Sequence, residues 1–277
     1  MKVKKSLLKI ICMTFAILFA IASVPVYAFA SEKEGYSWYC VHVKDHRRPS
    51  LDPRLSFIEN YNAVYLDPNV SETSEEKVVY LTFDAGYENG NVSKILDVLK
   101  EENVPGTFFI LQNLIRKNPE LVKRMVEEGH LVGNHTAHHK NMSYASDEAL
   151  INEIKLLEDK YQELIGQEMP KFYRPPEGRF SEENLKCLTE NGYQTVFWSF
   201  AYPDWDNNRQ MPEKKAEKII LDNLHNGSIL LLHPTSATNA AILGNVIREI
   251  KNQGYKFGRI DEIAYQKIEK IDEQVKK

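Results

Sequence analysis

The chain is poor in cysteine, carries no glycine-rich phosphate loop and has no excess of positive charge. Three cysteines in 277 residues are too few for a disulfide framework. Cys12 lies in a leader-like start; Cys40 and Cys187 could pair outside the cell, and a surface or core thiol explains each of them equally well. No GxGxxG follows the first apolar strand and no Walker-type loop occurs, which argues against nucleotide folds and a nucleotide partner. The net charge of −4 becomes −8 once Lys2, Lys4, Lys5 and Lys9 are set aside, so nothing marks the chain as nucleic-acid binding. No linker divides it, and one α/β core is ordinary at this length.

What is present begins with a leader. A basic start, an uncharged run from Ile10 to Ala30, the helix breaker Pro25 and small residues at Ala28 and Ala30 have the order of a secretory signal over residues 1–30. Cleavage after Ala30 is favoured; a retained signal anchor is the alternative, and it would be the one membrane contact. The expected site of action is extracytoplasmic. Residues 31–75 show no clean period and are expected to form an irregular extension. His42 and His46 have helical metal spacing there, yet nothing around them supports a site. The main domain is expected over residues 76–266, with a charged tail over 267–277.

Within that domain short apolar runs alternate with helical patterns about seven times. Val78 to Phe83, Thr107 to Leu111, His130 to Gly133, Gln194 to Ser199 and Ser228 to Leu232 read as buried strands. Helices are expected over Val92, Ile95, Leu96 and Leu99, after Asn118, Ser146 and Ser181, and from about Glu213 and about Asn239. This alternation predicts one α/β domain with a parallel sheet, best read as a closed or nearly closed barrel. In such a barrel the residues just past each strand meet on one face. Those residues carry chemistry.

Asp84 ends the first strand, where it either caps a turn or acts as a base. His135 and His139, four apart, would face one side of a helical turn and could share a cation; His138 would face elsewhere. Arg174, fixed by two following prolines, would hold Asp84 ionised and aimed. Asp204, between Pro203 and Trp205 in an apolar context, needs a partner. His233 is the obvious one, since a buried Asp raises the pKa of a His and makes it a usable acid.

The motifs TFDAGYENG, GNHTAHH, RPPEGRF, FWSFAYPDW and LLLH occur in the order found in polysaccharide deacetylases with the NodB homology domain, carbohydrate esterase family 4, and the chain resembles that family over roughly residues 75–265. Within it, the sequence looks most like the delta-lactam-biosynthetic de-N-acetylases of spore-forming bacteria. The resemblance implies an α/β fold, a distorted barrel of seven or eight β/α units, and hydrolysis of an N-acetyl group by water. Asp84 would be the base, His233 the acid, and His135 and His139 the ligands of a divalent metal such as zinc. Arg174 would orient Asp84, and Asp204 would orient His233. Glu177, through its backbone amide, would help hold the oxyanion, and Tyr87, Trp205 and Arg179 would also meet substrate. The implied partner is peptidoglycan, acted on by a monomer that deacetylates N-acetylmuramic acid in peptide-free strands and so leads to muramic delta-lactam in spore cortex. N-acetylglucosamine deacetylation of peptidoglycan or chitin, and glycan binding without catalysis, are the alternatives. Three departures bear on the metal and on activity: Ala85 stands where most members have a ligating Asp, and Ser199 and Ala201 stand at usually acidic positions. The metal is therefore expected to be weakly held.

Overall fold

The apolar run at Val78 becomes the central strand of the molecule, β3 (Lys77–Ala85). The computed structural model describes residues 34–263, so the expected leader and charged tail lie outside the described residues. Strand β3 pairs in parallel with β10 (Ser228–Leu232) along one edge. Its other edge is shared: β11 (Tyr255–Phe257) takes the amino-terminal half and β4 (Thr107–Ile110) the carboxyl-terminal half. From β4 the sheet continues in parallel through β5 (Leu131–Asn134), β6 (Phe172–Tyr173) and β8 (Gln194–Val196) to β2 (Ala63–Val64), while β9 (Phe200–Ala201) lies beyond β10.

Strand β8, next to the end strand β2, and β9 at the opposite end of the sheet belong to one stretch of chain. Strand β8 pairs with β6 and β9 pairs with β10, and only Phe197 to Ser199 separate them. Within that kink the Phe197 amide donates to Val64 O and the Ser199 amide to Ile229 O. The sheet therefore curls into the expected distorted barrel.

Alternation along β3 sorts its side chains. Val79, Leu81, Phe83 and Ala85 pack in the layer shared with the helices α1 (Val92–Glu101) and α7 (Ala237–Asn252). Tyr80 belongs to the separate cluster that includes Phe109, Phe197, Ile229 and Leu231. Period two carries that second face on through Thr82 to Asp84, at the carboxyl end. The helices α2 (Gln112–Lys117), α3 (Pro119–Glu127), α4 (Asp147–Ile165), α5 (Glu182–Glu190) and α6 (Glu213–Asp222) complete the outer layer. Ser146 Oγ accepts from the Ala149 amide, as the sequence predicts, and left-handed Gly166 closes α4.

Within residues 34–75, the described part of the stretch expected to be irregular, short regular elements form. The pair β1 (Tyr36–Ser37) runs antiparallel to β7 (Arg179–Phe180), a 3-10 helix spans Pro53–Asn60, and β2 enters the main sheet. Two-residue strands are too short to show a period, and Leu55 and Ile58, the buried residues of the 3-10 helix, recur every three residues as that geometry requires. No disulfide joins Cys40 to Cys187.

Candidate active site

Asp84 and Arg174 form the first half of the site. Arg174 follows β6, its backbone amide bonded to Asn134 O at 3.0 Å, and its side chain is fully buried. Nη1 donates to Asp84 Oδ1 at 3.0 Å, Nε to Val196 O at 2.9 Å and Nη2 to Phe197 O at 3.2 Å, while the guanidinium lies 4.2 Å from the Phe109 ring centre. A buried cation is tolerable only when its donors are engaged in this way. Burial alone would raise the Asp84 pKa, but His135, Arg174 and His233 together outweigh it and hold the carboxyl below its ordinary range. Asp84 is thus an oriented anion, as the sequence predicts.

His135 and His139 do come together, though not on a helical turn. Residues 135–142 contain no helix, and Thr136 and His139 both have left-handed backbone, at φ 71° and 56°. That conformation is uncommon for any non-glycine residue and an outlier for a β-branched one. It is held by side chains. Asn134 Oδ1 accepts from the Thr136 amide at 2.8 Å, and Thr136 Oγ1 accepts from the His139 amide at 2.9 Å. Glu153, buried on α4, binds His138 Nδ1 at 3.0 Å and Lys140 Nζ at 2.8 Å, and accepts from the His138 amide. His138 is therefore a tether for the loop. The imidazoles of His135 and His139 meet edge to face with centres 4.9 Å apart. His135 Nδ1 donates to Arg174 O at 2.8 Å, which leaves Nε2 bare, 3.5 Å from Asp84 Oδ2. Burial pushes the His135 pKa down to about 4, so the ring is neutral at pH 7.

His233 and Asp204 form the second half. Asp204 Oδ1 accepts from His233 Nδ1 at 2.7 Å and Oδ2 from the His233 amide at 2.8 Å. Burial would lower the His233 pKa, but Asp204, its hydrogen bond and Asp84 prevail and raise it, favouring imidazolium. Both halves open into one cleft of about 730 Å³, lined by Asp84, His135, His139 and His233 among others. Tyr87, Trp205 and Glu177, expected to meet substrate, also line it. Tyr87 and Trp205 are 45% and 59% exposed, offering aromatic faces at the rim. Glu177 has φ 56° between Pro176 and Gly178. Arg179 is not among the lining residues; its Nε pairs with Glu177 Oε2 at 3.2 Å.

Sequence reasoning missed Glu153 and the lining residues Trp198, Tyr202, Leu111 and Thr235. The YENGN segment held a usable signal: Asn89 and Asn91 both donate to Thr235 O, tying the loop after Asp84 to the loop after His233. Ser199, at a usually acidic position, is buried and engaged: it contacts His225 Nε2 at 2.8 Å and accepts from the Ile229 amide.

For a metal, the donor set is short. Among the described residues no group of three or more His, Cys, Asp or Glu is arranged to hold one. Ala85 is fully buried and brings no donor, leaving two imidazoles where a catalytic zinc usually has three protein ligands. The residues present do not fit such a centre, and the chemistry described below relies on the protein's own groups.

The family model for polysaccharide deacetylase matches residues 71–196. The chain is 39% identical to the peptidoglycan-N-acetylmuramic acid deacetylase PdaA of Bacillus subtilis, covering 87% of this chain and 90% of that protein. The solved structure of Bacillus subtilis PdaA, described as a family 4 carbohydrate esterase, superposes with a TM-score of 0.79 over 84% of this chain and 98% of that one. A peptidoglycan-N-acetylglucosamine deacetylase of Bacillus cereus is 35% identical over 79% of this chain and 78% of its own length.

Proposed function

Because the chain belongs to the polysaccharide deacetylases of carbohydrate esterase family 4, enzymes that hydrolyse amide bonds, we propose that it removes acetyl groups from N-acetylmuramic acid in peptide-free peptidoglycan strands. The observation that carries this reading is the meeting of two opposed pairs, Asp84 with Arg174 and Asp204 with His233, in one cleft with aromatic walls. Water near Asp84 gives up a proton to the carboxylate as its oxygen attacks the acetyl carbon. The left-handed turn at Glu177 presents a backbone amide to the developing oxyanion. His233 then protonates the nitrogen as the carbon–nitrogen bond breaks, leaving acetate and a free amine. Tyr87 and Trp205 offer stacking surfaces for sugar rings, and Arg179 acts at the rim through Glu177.

The finer reading is that the enzyme works outside the cytoplasm as a monomer and that the freed amine closes onto the lactyl carboxyl to give muramic delta-lactam in spore cortex. The divalent metal that the family resemblance implies, zinc for example, would find only His135 and His139 here, a donor set too short for a catalytic centre, and no step above depends on it. One observation favours N-acetylglucosamine instead: among the described residues no Lys or Arg lines the cleft, and Arg179 is paired with Glu177, so no basic side chain of either kind is offered to a muramic carboxylate there. The decisive experiment measures acetate released from peptide-free strands by wild type and Asp84→Asn, with chelator and with added zinc. Mass spectrometry of the digested product shows which sugar lost its acetyl group. Absence of release under every metal condition, with glycan binding retained, would leave a non-catalytic binding protein.

A further inference from the structure

The acid side of the cleft contains a residue that the proposed chemistry does not use. Asn239 sits in the first turn of α7, almost fully buried. Its Nδ2 donates to Asp204 Oδ2 at 2.6 Å and to His233 O at 3.1 Å. Its Oδ1 accepts from the hydroxyl of Tyr202, which lines the cleft. The backbone of Asn239 is placed independently, its amide bonded to Ser236 Oγ, the cap of α7.

Asp204 Oδ2 and His233 O can only accept, so they take the amino end of the Asn239 side chain, and the Tyr202 hydroxyl holds that orientation by donating to the amide oxygen. With the amino end turned that way, Asp204 Oδ2 has two donors, Asn239 Nδ2 and the His233 amide. The other oxygen is then left to His233 Nδ1. A carboxylate held at one oxygen by two donors cannot rotate to offer its other lone pairs, and so the ring plane of His233 is set. The bond from Asn239 to His233 O also holds the backbone that carries the imidazole.

We propose that Asn239, oriented by Tyr202, is a positioning residue for the general acid: it locks Asp204 so that His233 Nε2 points into the cleft. The proposal rests on His233 acting as the acid in the function proposed above. It adds that the acid is aligned from the cleft wall through a chain of four side chains, Tyr202, Asn239, Asp204 and His233.

The test uses Asn239→Ala, with Tyr202→Phe as a second variant that removes only the orienting hydroxyl. Two readouts are taken on the whole protein: acetate release from peptide-free strands, and the downfield proton resonance of the His233 Nδ1–H bonded to Asp204. The expected result for Asn239→Ala is a fall in kcat of about tenfold or more with KM unchanged, a part of the ~10²–10⁴ that acid–base catalysis contributes. Its Nδ1–H resonance should shift or broaden, and Tyr202→Phe should show the same changes in smaller degree. An unchanged resonance in both variants overturns the proposal, whatever the activity. So does a fall in kcat that merely follows loss of folded protein in the melting curve. If wild type releases no acetate the proposed function fails, and the resonance alone still decides whether Asn239 aligns the His233–Asp204 pair.

Discussion

Replacing Asp84 by Asn removes a charge while keeping shape and one acceptor oxygen, and the consequence for stability follows from Arg174. That guanidinium is fully buried, with Asp84, itself 11% exposed in its side chain, as the anion beside it. Taking one charge from a buried pair costs about 3–5 kcal/mol, because the other is left uncompensated. Here the loss is softened. The amide can still accept from Nη1, and Arg174 keeps Val196 O, Phe197 O and the face of Phe109. We expect Asp84→Asn to lose about 2–3 kcal/mol of stability, read at pH 7 as a lower urea midpoint at unchanged slope. Acetate release should fall by at least ~10²-fold. A midpoint equal to wild type or above it would refute the reasoning, by showing that the carbonyls and the ring satisfy Arg174 without a carboxylate. Activity within tenfold of wild type would remove Asp84 from the role of base.

The rate should depend on pH as a bell, since the proposed reaction needs Asp84 ionised and His233 protonated. The acid limb should fall below the ordinary carboxylate range and the alkaline limb above that of a free histidine, and Asp204→Asn should move the alkaline limb down. Burial pushes the pKa of both His130 and His225 down to about 4, so between ~6.5 and ~4 the unfolded chain binds protons that the folded one does not. The contribution of these two histidines to stability should fall as pH falls through that window and level off below it, by up to about 3 kcal/mol for each histidine; urea midpoints at pH 7 and 4.5 test this, and His225→Gln should flatten the slope. Gly178→Ala should cost more than about 1 kcal/mol and slow turnover: φ is +65°, and a Cβ would lie 2.9 Å from the Trp198 ring and 3.0 Å from Trp38 Cβ, beside Glu177. Full activity in that variant would separate the Glu177 turn from catalysis.

Much of the site was legible because Asp84, His135, Arg174 and His233 each follow an apolar run, and parallel strands deliver such positions to one face. The barrel was legible for the same reason. Asn239 was not, since in sequence it is an ordinary polar residue near the start of a helix, and its link to Asp204, 35 residues away, exists only in the fold. Glu153 was hidden likewise: on a helix rich in Glu, nothing local distinguishes the one carboxylate that turns inward to tether the histidine loop. The helical reading of His135 and His139 went astray because spacing alone cannot reveal left-handed backbone at Thr136 and His139. Residues 36–64 gave no period because their strands are two residues long.

The kinked stretch between β8 and β9 sets both sides of the cleft. Val196 and Phe197 supply the carbonyls that grip Arg174, Trp198, Ala201 and Tyr202 form cleft wall, and Asp204 orients His233. Both halves of the chemistry are thus ruled off from the same nine residues, as two marks on one scale. Adding or deleting a single residue between Val196 and Asp204 would throw acid and base out of alignment together. The exposed turn at Asp206 to Arg209, just beyond the last mark, is where length can vary while the interval between them is kept.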